Sequence, residues 1–358
     1  MNFNAIFLKS FRVLLLPFAL VYGLIIIIRN YLYRKNILRS AEFNLPLICV
    51  GNLSVGGTGK SPMVEYLIEL LRSNFKIATL SRGYKRKTKG YVLADEKTSA
   101  IEIGDEPMQF HMNYPGVAVA VGEERIVAIP QLLHDKPETQ AIILDDAFQH
   151  RAVKAGLNIL LTEYSNLFTR DFFLPTGDLR DERASYKRAE IIIVTKCPAS
   201  LCNEEKEQIR AEINPLDNQQ IYFTTIEYGI PYHIARHQLR YITSMDEVLL
   251  VCGIANPAPL KEYLQEKANT YYQQDYSDHH IFTIDDLKDI RKKFDSLQSD
   301  QKYILTTEKD AVRLLKFTQE LEQLPLYVLP IRHRFLFEEA DKFNNAVIDF
   351  IRNFGQQK

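Results

Sequence analysis

The segment GNLSVGGTGKSP, residues 51 to 62, holds the residue types that bind phosphate. A Gly-rich turn between an apolar run and a helical run turns several backbone N–H groups toward one point. The positive end of the following helix adds to them, and Lys60 supplies a mobile cation. Gly59, Lys60 and Ser61 match the GK[ST] core of a Walker A loop, with Gly56 and Gly57 in the turn. Ser54 stands where that pattern has its first glycine. The cradle is expected to comprise Ser54, Val55, Gly56, Gly57, Thr58, Gly59, Lys60 and Ser61, with the Ser61 hydroxyl on Mg²⁺. The plainer alternative is a strand-to-helix turn with no ligand.

AIILDDAFQH, residues 141 to 150, supplies the complementary half. An apolar strand ending in Asp145 and Asp146 is the Walker B arrangement, which sets a carboxylate at the sheet edge beside the phosphate loop to hold Mg²⁺. Alone, either aspartate would serve as a helix cap or turn residue, and the sequence leaves open which one touches the metal. Arg82, Lys85 and Arg86 in SRGYKRK form a cation cluster after a strand end. It is suited to an anion and equally to a solvated turn. Arg151 and Arg180 are weaker candidates for the same work.

These residues need elements to position them, and the chain alternates strand and helix from residue 45 onward. LPLICV (45 to 50) is a short apolar run before the Gly-rich turn, and SPMVEYLIELLRSN (61 to 74) has helical spacing at Met63, Leu67, Leu70 and Leu71. Pro62 falls where a first helical turn tolerates it. Further strands are expected at 76 to 81, 117 to 122, 141 to 146, 157 to 163 and 190 to 196. Such runs between helices predict an α/β fold: a P-loop NTPase-like, mostly parallel sheet with helices on both faces. A polar stretch near 229 to 246 precedes a second, smaller α/β lobe, with strands at 247 to 257, 302 to 312 and 325 to 331. Residues 337 to 354 form an amphipathic terminal helix able to pack on either lobe. The expected divisions are 1–40 as a basic-flanked N-terminal membrane helix, 41–228 as the P-loop domain, 229–335 as the second lobe and 336–358 as the terminal helix.

The first division differs from the rest of the chain. Sixteen nearly continuous apolar residues lie between Arg12 and Arg29, and residues 1 to 40 hold six Lys/Arg and no Asp or Glu. No small-residue cleavage site follows the run, unlike a signal peptide. At a rise of about 1.5 Å per residue it is roughly 24 Å long, short of the roughly 30 Å hydrocarbon core of a bilayer. A monotopic or tilted anchor is expected, its cations against anionic headgroups. A buried core helix is the alternative.

The 358 residues are 46% apolar, enough for a full core. Lys+Arg at 44 against Asp+Glu at 45 gives a formal net charge of -1, so nothing suggests the basic stripe of a general nucleic-acid binder. Cys49, Cys197, Cys202 and Cys252 form no CxxC pair, which argues against a disulfide framework and a structural zinc and suits a reducing cytosol.

The ordered set GNLSVGGTGKSP, SRGYKRK, GDEP (104 to 107), LDDAFQHR (144 to 151), LPTGDLRD (174 to 181), VTKCP (194 to 198), SDHH (277 to 280) and TEKDAVR (307 to 313) closely resembles the tetraacyldisaccharide 4'-kinase family of lipid A biosynthesis. The resemblance extends from the N-terminal anchor to about residue 335. Ala147, where the family usually has glycine, and Asp178 and Asp181, in a segment that more often reads AGxLRE, depart from it. The resemblance implies two α/β lobes, ATP and Mg²⁺, and transfer of the γ-phosphoryl group to the 4'-hydroxyl of a tetra-acylated glucosamine disaccharide 1-phosphate. It places the protein on the inner membrane with its site on the cytosolic face, and it implies no protein partner. It points to Asp105 of GDEP as the base, with His279 of SDHH as its partner from the second lobe, joined on lobe closure, and with Lys60 on the phosphates. The substrate's 1-phosphate, or ATP, would meet the cluster of Arg82, Lys85 and Arg86, with Arg151 and Arg180 weaker candidates. On residue chemistry alone Asp105 also reads as a turn residue, and His279 or His280 as a satisfied structural imidazole.

Two other classes fit parts of the pattern. A membrane-bound GTPase switch would need an N-K-x-D word, of which VTKCP and TEKD hold only fragments. A nucleotide-gated scaffold would need no base facing the γ-phosphate.

Overall fold

A computed structural model of the chain describes residues 12–355. The first eleven residues of the anchor segment and the last three of the chain lie outside the described residues. Among those described, strands β1 (Leu47–Asn52), β2 (Ile77–Ser81), β3 (Val92–Leu93), β4 (Ala118–Val121), β5 (Ala141–Asp145), β6 (Leu157–Glu163), β7 (Ile191–Thr195), β8 (Gln220–Tyr228) and β14 (Ile331–Phe335) form one sheet in the order β14-β8-β7-β6-β1-β5-β2-β4-β3. The pairs are parallel except β3 with β4 and β14 with β8 at the edges. Central strands are apolar throughout because both faces are covered. Leu47 and Cys49 of β1 serve one core, and Ile48 and Val50 serve the other, with Met63, Val64 and Leu67 of the helix Lys60–Leu71. β1 sits mid-sheet beside β5 with Val50 opposite Asp145, so the loop after β1 and the aspartates after β5 emerge together at one sheet edge.

The second sheet takes β9 (Tyr232–His233), β10 (Glu247–Cys252), β11 (Thr270–Asp275), β12 (Lys302–Thr307) and β13 (Leu326–Leu329) in the order β11-β10-β12-β13-β9. Its cores are separate, one around Leu249, Phe282, Ile290 and Ile304 and one around Val248, Leu250 and Leu305.

The second lobe ends earlier than expected. PLYVLPI is not one strand: β13 stops before Pro330, and β14 crosses back to pair antiparallel with β8 in the first sheet. Proline has no N–H for a ladder and fixes φ, so it separates the two pairings. The boundary is therefore at 330 rather than 335. The terminal helix Ala340–Arg352 is not a separate unit, because Phe343, Val347 and Ile351 are buried in the first lobe's core. The expected strand at 302 to 312 is also divided. Thr307 Oγ1 accepts from Asp310 N at 3.2 Å and caps the helix Glu308–Leu314.

The N-terminal apolar run is a helix, Leu16–Arg34, which with the turn before it is long and apolar enough to cross a membrane by length and composition. It is no core helix, since Leu14, Phe18, Val21, Ile25 and Ile28 are exposed. Only a narrow stripe of Ala19, Gly23 and Asn30 is buried, against the loop that follows β6. A Cβ at Gly23 would lie 2.6 Å from the Phe173 ring, so glycine permits that approach. Tyr22 Oη donates to Arg180 O at 3.1 Å, and Asn30 Nδ2 donates to Asp181 Oδ1 at 2.7 Å.

Candidate active site

The phosphate loop is held from three sides. Asn52 Nδ2 donates to Thr58 Oγ1 at 2.9 Å, and Thr195 Oγ1 at the end of β7 donates to Thr58 O at 2.9 Å. Val55 N donates to Asp178 O at 2.7 Å, and Ser54 bridges to Leu179. Gly56 (φ 110°) and Gly59 (φ 84°) take the positive φ that a side chain resists, whereas Ser54 does not, so the loop closes without the first Walker glycine.

His333 gives a support that the sequence reading missed. Its Nε2 donates to Gly59 O at 2.9 Å while its Nδ1 accepts from Thr224 Oγ1 at 3.0 Å. Burial pushes this imidazole down to about 4, so it stays neutral and fills both roles. No local signal marks it, because only the return of β14 to the first sheet brings it under the loop.

Lys60 opens the helix, its Nζ 3.7 Å from Asp146 Oδ1. Burial lowers the lysine, opposed by the Asp146 charge. Asp146 has φ 47°, and both Nη atoms of Arg180 donate to it, Nη1 to Oδ2 at 3.1 Å. Burial would raise Asp146, but Lys60 and Arg180 overcome it and hold the carboxyl at about 2. Its neighbour goes the other way: burial, then the Asp146 charge, lifts Asp145 to about 6, with Ser81 Oγ donating to Oδ2 at 3.1 Å. The two adjacent carboxyls are thus pushed in opposite directions by their surroundings.

A second cluster lies across the lobe interface. Asp105 begins the helix Asp105–Asn113, and His279 takes φ 62° in the loop after β11. His279 Nδ1 lies 3.0 Å from Asp105 Oδ2, so the two already meet, where joining was expected to await closure. Arg313 is the other residue the sequence reading missed: its Nε and Nη2 donate to the same Oδ2 at 2.9 and 2.7 Å. Its signal was the spacing Thr307-x-x-Asp310-x-x-Arg313, which puts a cap, an acid and a base on one helix face. Burial would raise Asp105, and the Arg313 hydrogen bonds and charge, with those of His279, bring it below the ordinary carboxylate value. Lys309 Nζ donates to Glu106 Oε1 at 2.8 Å alongside. The clusters are within electrostatic reach, since Asp145 feels Glu106 and Lys60 feels Lys309.

Other expected residues fall outside this arrangement. His280 is satisfied within its own lobe, its Nε2 3.0 Å from Asp286 Oδ2 and its ring stacked on Tyr276. Arg86 is turned inward, its side chain 2% exposed, donating to Glu123 Oε1 at 2.7 Å and to Gly90 O. It ties its own loop together instead of facing an anion. Arg151 Nη1 donates to Asn30 O and Oδ1, both at 3.1 Å, and its guanidinium lies over Tyr33, so it joins the anchor helix to the first lobe. Arg82 is exposed at the end of β2, and two residues on the Tyr84 ring lies 5.8 Å from the His279 ring.

The pattern of the tetraacyldisaccharide-1-P 4'-kinase family matches residues 11–352. The chain belongs to that family. It is 46% identical over 342 residues to the tetraacyldisaccharide 4'-kinase of Flavobacterium johnsoniae, covering 95% of this chain and 97% of that one. Against the tetraacyldisaccharide 4'-kinase of Bacteroides thetaiotaomicron it is 44% identical over 353 residues, with 94% and 93% covered. Its fold is similar to a crystal structure of LpxK from Aquifex aeolicus in complex with ATP, with a TM-score of 0.74, 28% identity, and 95% of this chain and 99% of that chain covered. A family member of this length is a kinase with the two-lobed α/β fold described above.

Proposed function

We propose that this kinase transfers the γ-phosphoryl group of ATP to the 4'-hydroxyl of a tetra-acylated disaccharide 1-phosphate, with Asp105 as general base. The observation that carries this reading is the 3.0 Å approach of His279 Nδ1 to Asp105 Oδ2 across the lobes, in a chain whose Lys60 and Asp146 sit 3.7 Å apart at the Gly-rich loop. A sugar hydroxyl is a poor nucleophile. As its oxygen bonds to the γ-phosphorus and the bridging P–O bond breaks to release ADP, its proton passes to Asp105. His279 orients that carboxylate. Lys60 and the N–H groups of residues 56 to 61 hold the phosphates in line.

The donor set fits Mg²⁺. Asp145, Asp146 and the Ser61 hydroxyl are hard oxygen ligands, and this ion typically takes one or two carboxylates together with phosphate oxygens. When bound it would neutralise charge on the β- and γ-phosphates. Among the three expected arginines Arg82 is the one left for the substrate's 1-phosphate, since Arg86 and Arg151 are engaged within the protein, and exposed Lys85 stands beside it.

The outward apolar face of the helix Leu16–Arg34 supports docking on the cytosolic face of the inner membrane, where acyl chains and cytosolic ATP are both available. A scaffold or switch would have no use for the Asp105–His279 pair. Detergent-solubilised protein given ATP-Mg²⁺ and the disaccharide 1-phosphate should yield a bis-phosphorylated product. ATP turnover with no lipid product would refute this reading.

A further inference from the structure

Asp105 Oδ2 has three nitrogens around it, His279 Nδ1 at 3.0 Å and Arg313 Nε and Nη2 at 2.9 and 2.7 Å, and Arg313 Nη2 is also 3.0 Å from His279 Nδ1. Oδ1 has no hydrogen-bond partner among the described residues. Arg313 is itself immobilised, its side chain 6% exposed. Its Nη1 donates to Asp310 Oδ1 at 3.1 Å and to Gly253 O at 3.3 Å. Asp310 is fully buried and takes Gly253 N at 3.0 Å and Thr307 Oγ1 at 2.8 Å. His279 N donates to the same Gly253 O at 3.3 Å. The turn after β10 and the helix Glu308–Leu314 therefore hold the guanidinium and the imidazole as one rigid face turned to Asp105.

We propose that Arg313 is the positioning residue of the base: it clamps Asp105 by Oδ2 so that Oδ1 alone is presented to the acceptor hydroxyl. This rests on Asp105 being the base. A guanidinium only donates, and a planar fork on one carboxylate oxygen fixes that carboxylate's rotation more firmly than a single imidazole contact does. Arg313 does not reach for ATP as an arginine finger would, because Nε, Nη1 and Nη2 are all engaged within the protein and the side chain is buried. Its charge also keeps Asp105 ionised, ready to take a proton. The other charged groups near Asp105 are Glu106, paired with Lys309, and Asp310 of the second lobe, paired with Arg313, while Asp278 lies 3.8 Å from His279 Nε2.

The test is the pH profile of kcat/KM for wild type, Arg313→Gln and Arg313→Lys, beside the rate of Asp105→Asn and ATP affinity for each. Removing an adjacent arginine lifts a carboxylate by roughly one to three units, so the falling acid limb in Arg313→Gln should move up by that amount. Arg313→Lys keeps the charge but loses the fork, so its limb should stay near wild type while kcat falls. ATP affinity should be unchanged in both. An unmoved limb in a folded Arg313→Gln enzyme, or a loss confined to ATP affinity, overturns the proposal. If that happens while Asp105→Asn abolishes turnover, the base assignment stands and only the role of Arg313 falls. A normal rate in Asp105→Asn sinks both.

Discussion

Lys60 Nζ lies 3.7 Å from Asp146 Oδ1, on the same carboxylate that Arg180 holds with two nitrogens. The phosphate loop, the end of β5 and the loop after β6 are thus tied at one point, and the two aspartates there play different parts. Asp146→Asn should lower both kcat and the melting temperature, because it strips two cations of their counterion. The stability loss should be about 1 kcal/mol, since the carboxylate is about a third exposed and solvent screens it. Asp145→Asn should leave the melting temperature nearly unchanged and raise the Mg²⁺ concentration needed for half-maximal rate. Identical behaviour of the two variants in melting and Mg²⁺ titration would contradict this division.

Lys60→Ala and Ser61→Ala should each cripple phosphoryl transfer, one by removing the cation on the phosphates and the other a metal ligand. Single-turnover rates at saturating ATP separate this from weak binding. Near-normal turnover in Lys60→Ala would make the loop a structural turn.

Stability should fall as pH rises above the ordinary glutamate range. Glu65 on the phosphate-loop helix and Glu308 on the second lobe are both buried, and Asn113 Nδ2 bridges them at 3.0 and 3.4 Å. Burial raises Glu65 to about 7; burial, then the Glu65 charge, raises Glu308 to about 8. At this pair the folded state therefore holds more protons than the unfolded chain between 4.5 and about 8. The stabilisation is complete at the lower end and lost toward the upper end. Above 6.5, where His333 is neutral in the folded and unfolded chain alike, melting scans of wild type should decline toward the upper end of that window, and Glu65→Gln should flatten the decline. Equal slopes would show that the pair does not titrate there.

Deleting residues 1 to 29 should remove the outward apolar face while sparing the Asn30–Asp181 hydrogen bond and the phosphate loop. Membrane sedimentation and lipid turnover should drop while ATP affinity persists. Full sedimentation of a folded truncated enzyme in high salt would rule out the anchor.

What was legible in the sequence was local. The Gly-rich loop, the β5 aspartates and the apolar N-terminal helix each lie in one short segment, and each has the local structure its spacing predicts. The crossing of β14 was hidden because Pro330 divides one apolar run between two sheets, and the support of the loop by His333 was hidden with it. Arg313 was within a quoted word, TEKDAVR, but its role depends on a carboxylate 208 residues away. Arg86 looked like a free cation because nothing in SRGYKRK shows that Glu123 will reach it.

The most direct test is a double-mutant cycle on Asp105 and His279, read as kcat for lipid phosphorylation at saturating ATP. General-base contributions are typically about 10² to 10⁴ in rate, so Asp105→Ala should lose that much with ATP affinity little changed, and His279→Ala should show a similar defect. Because the two act as one unit, the double variant should be little slower than either single one. Losses that multiply fully, or a wild-type kcat in Asp105→Ala, would contradict the account.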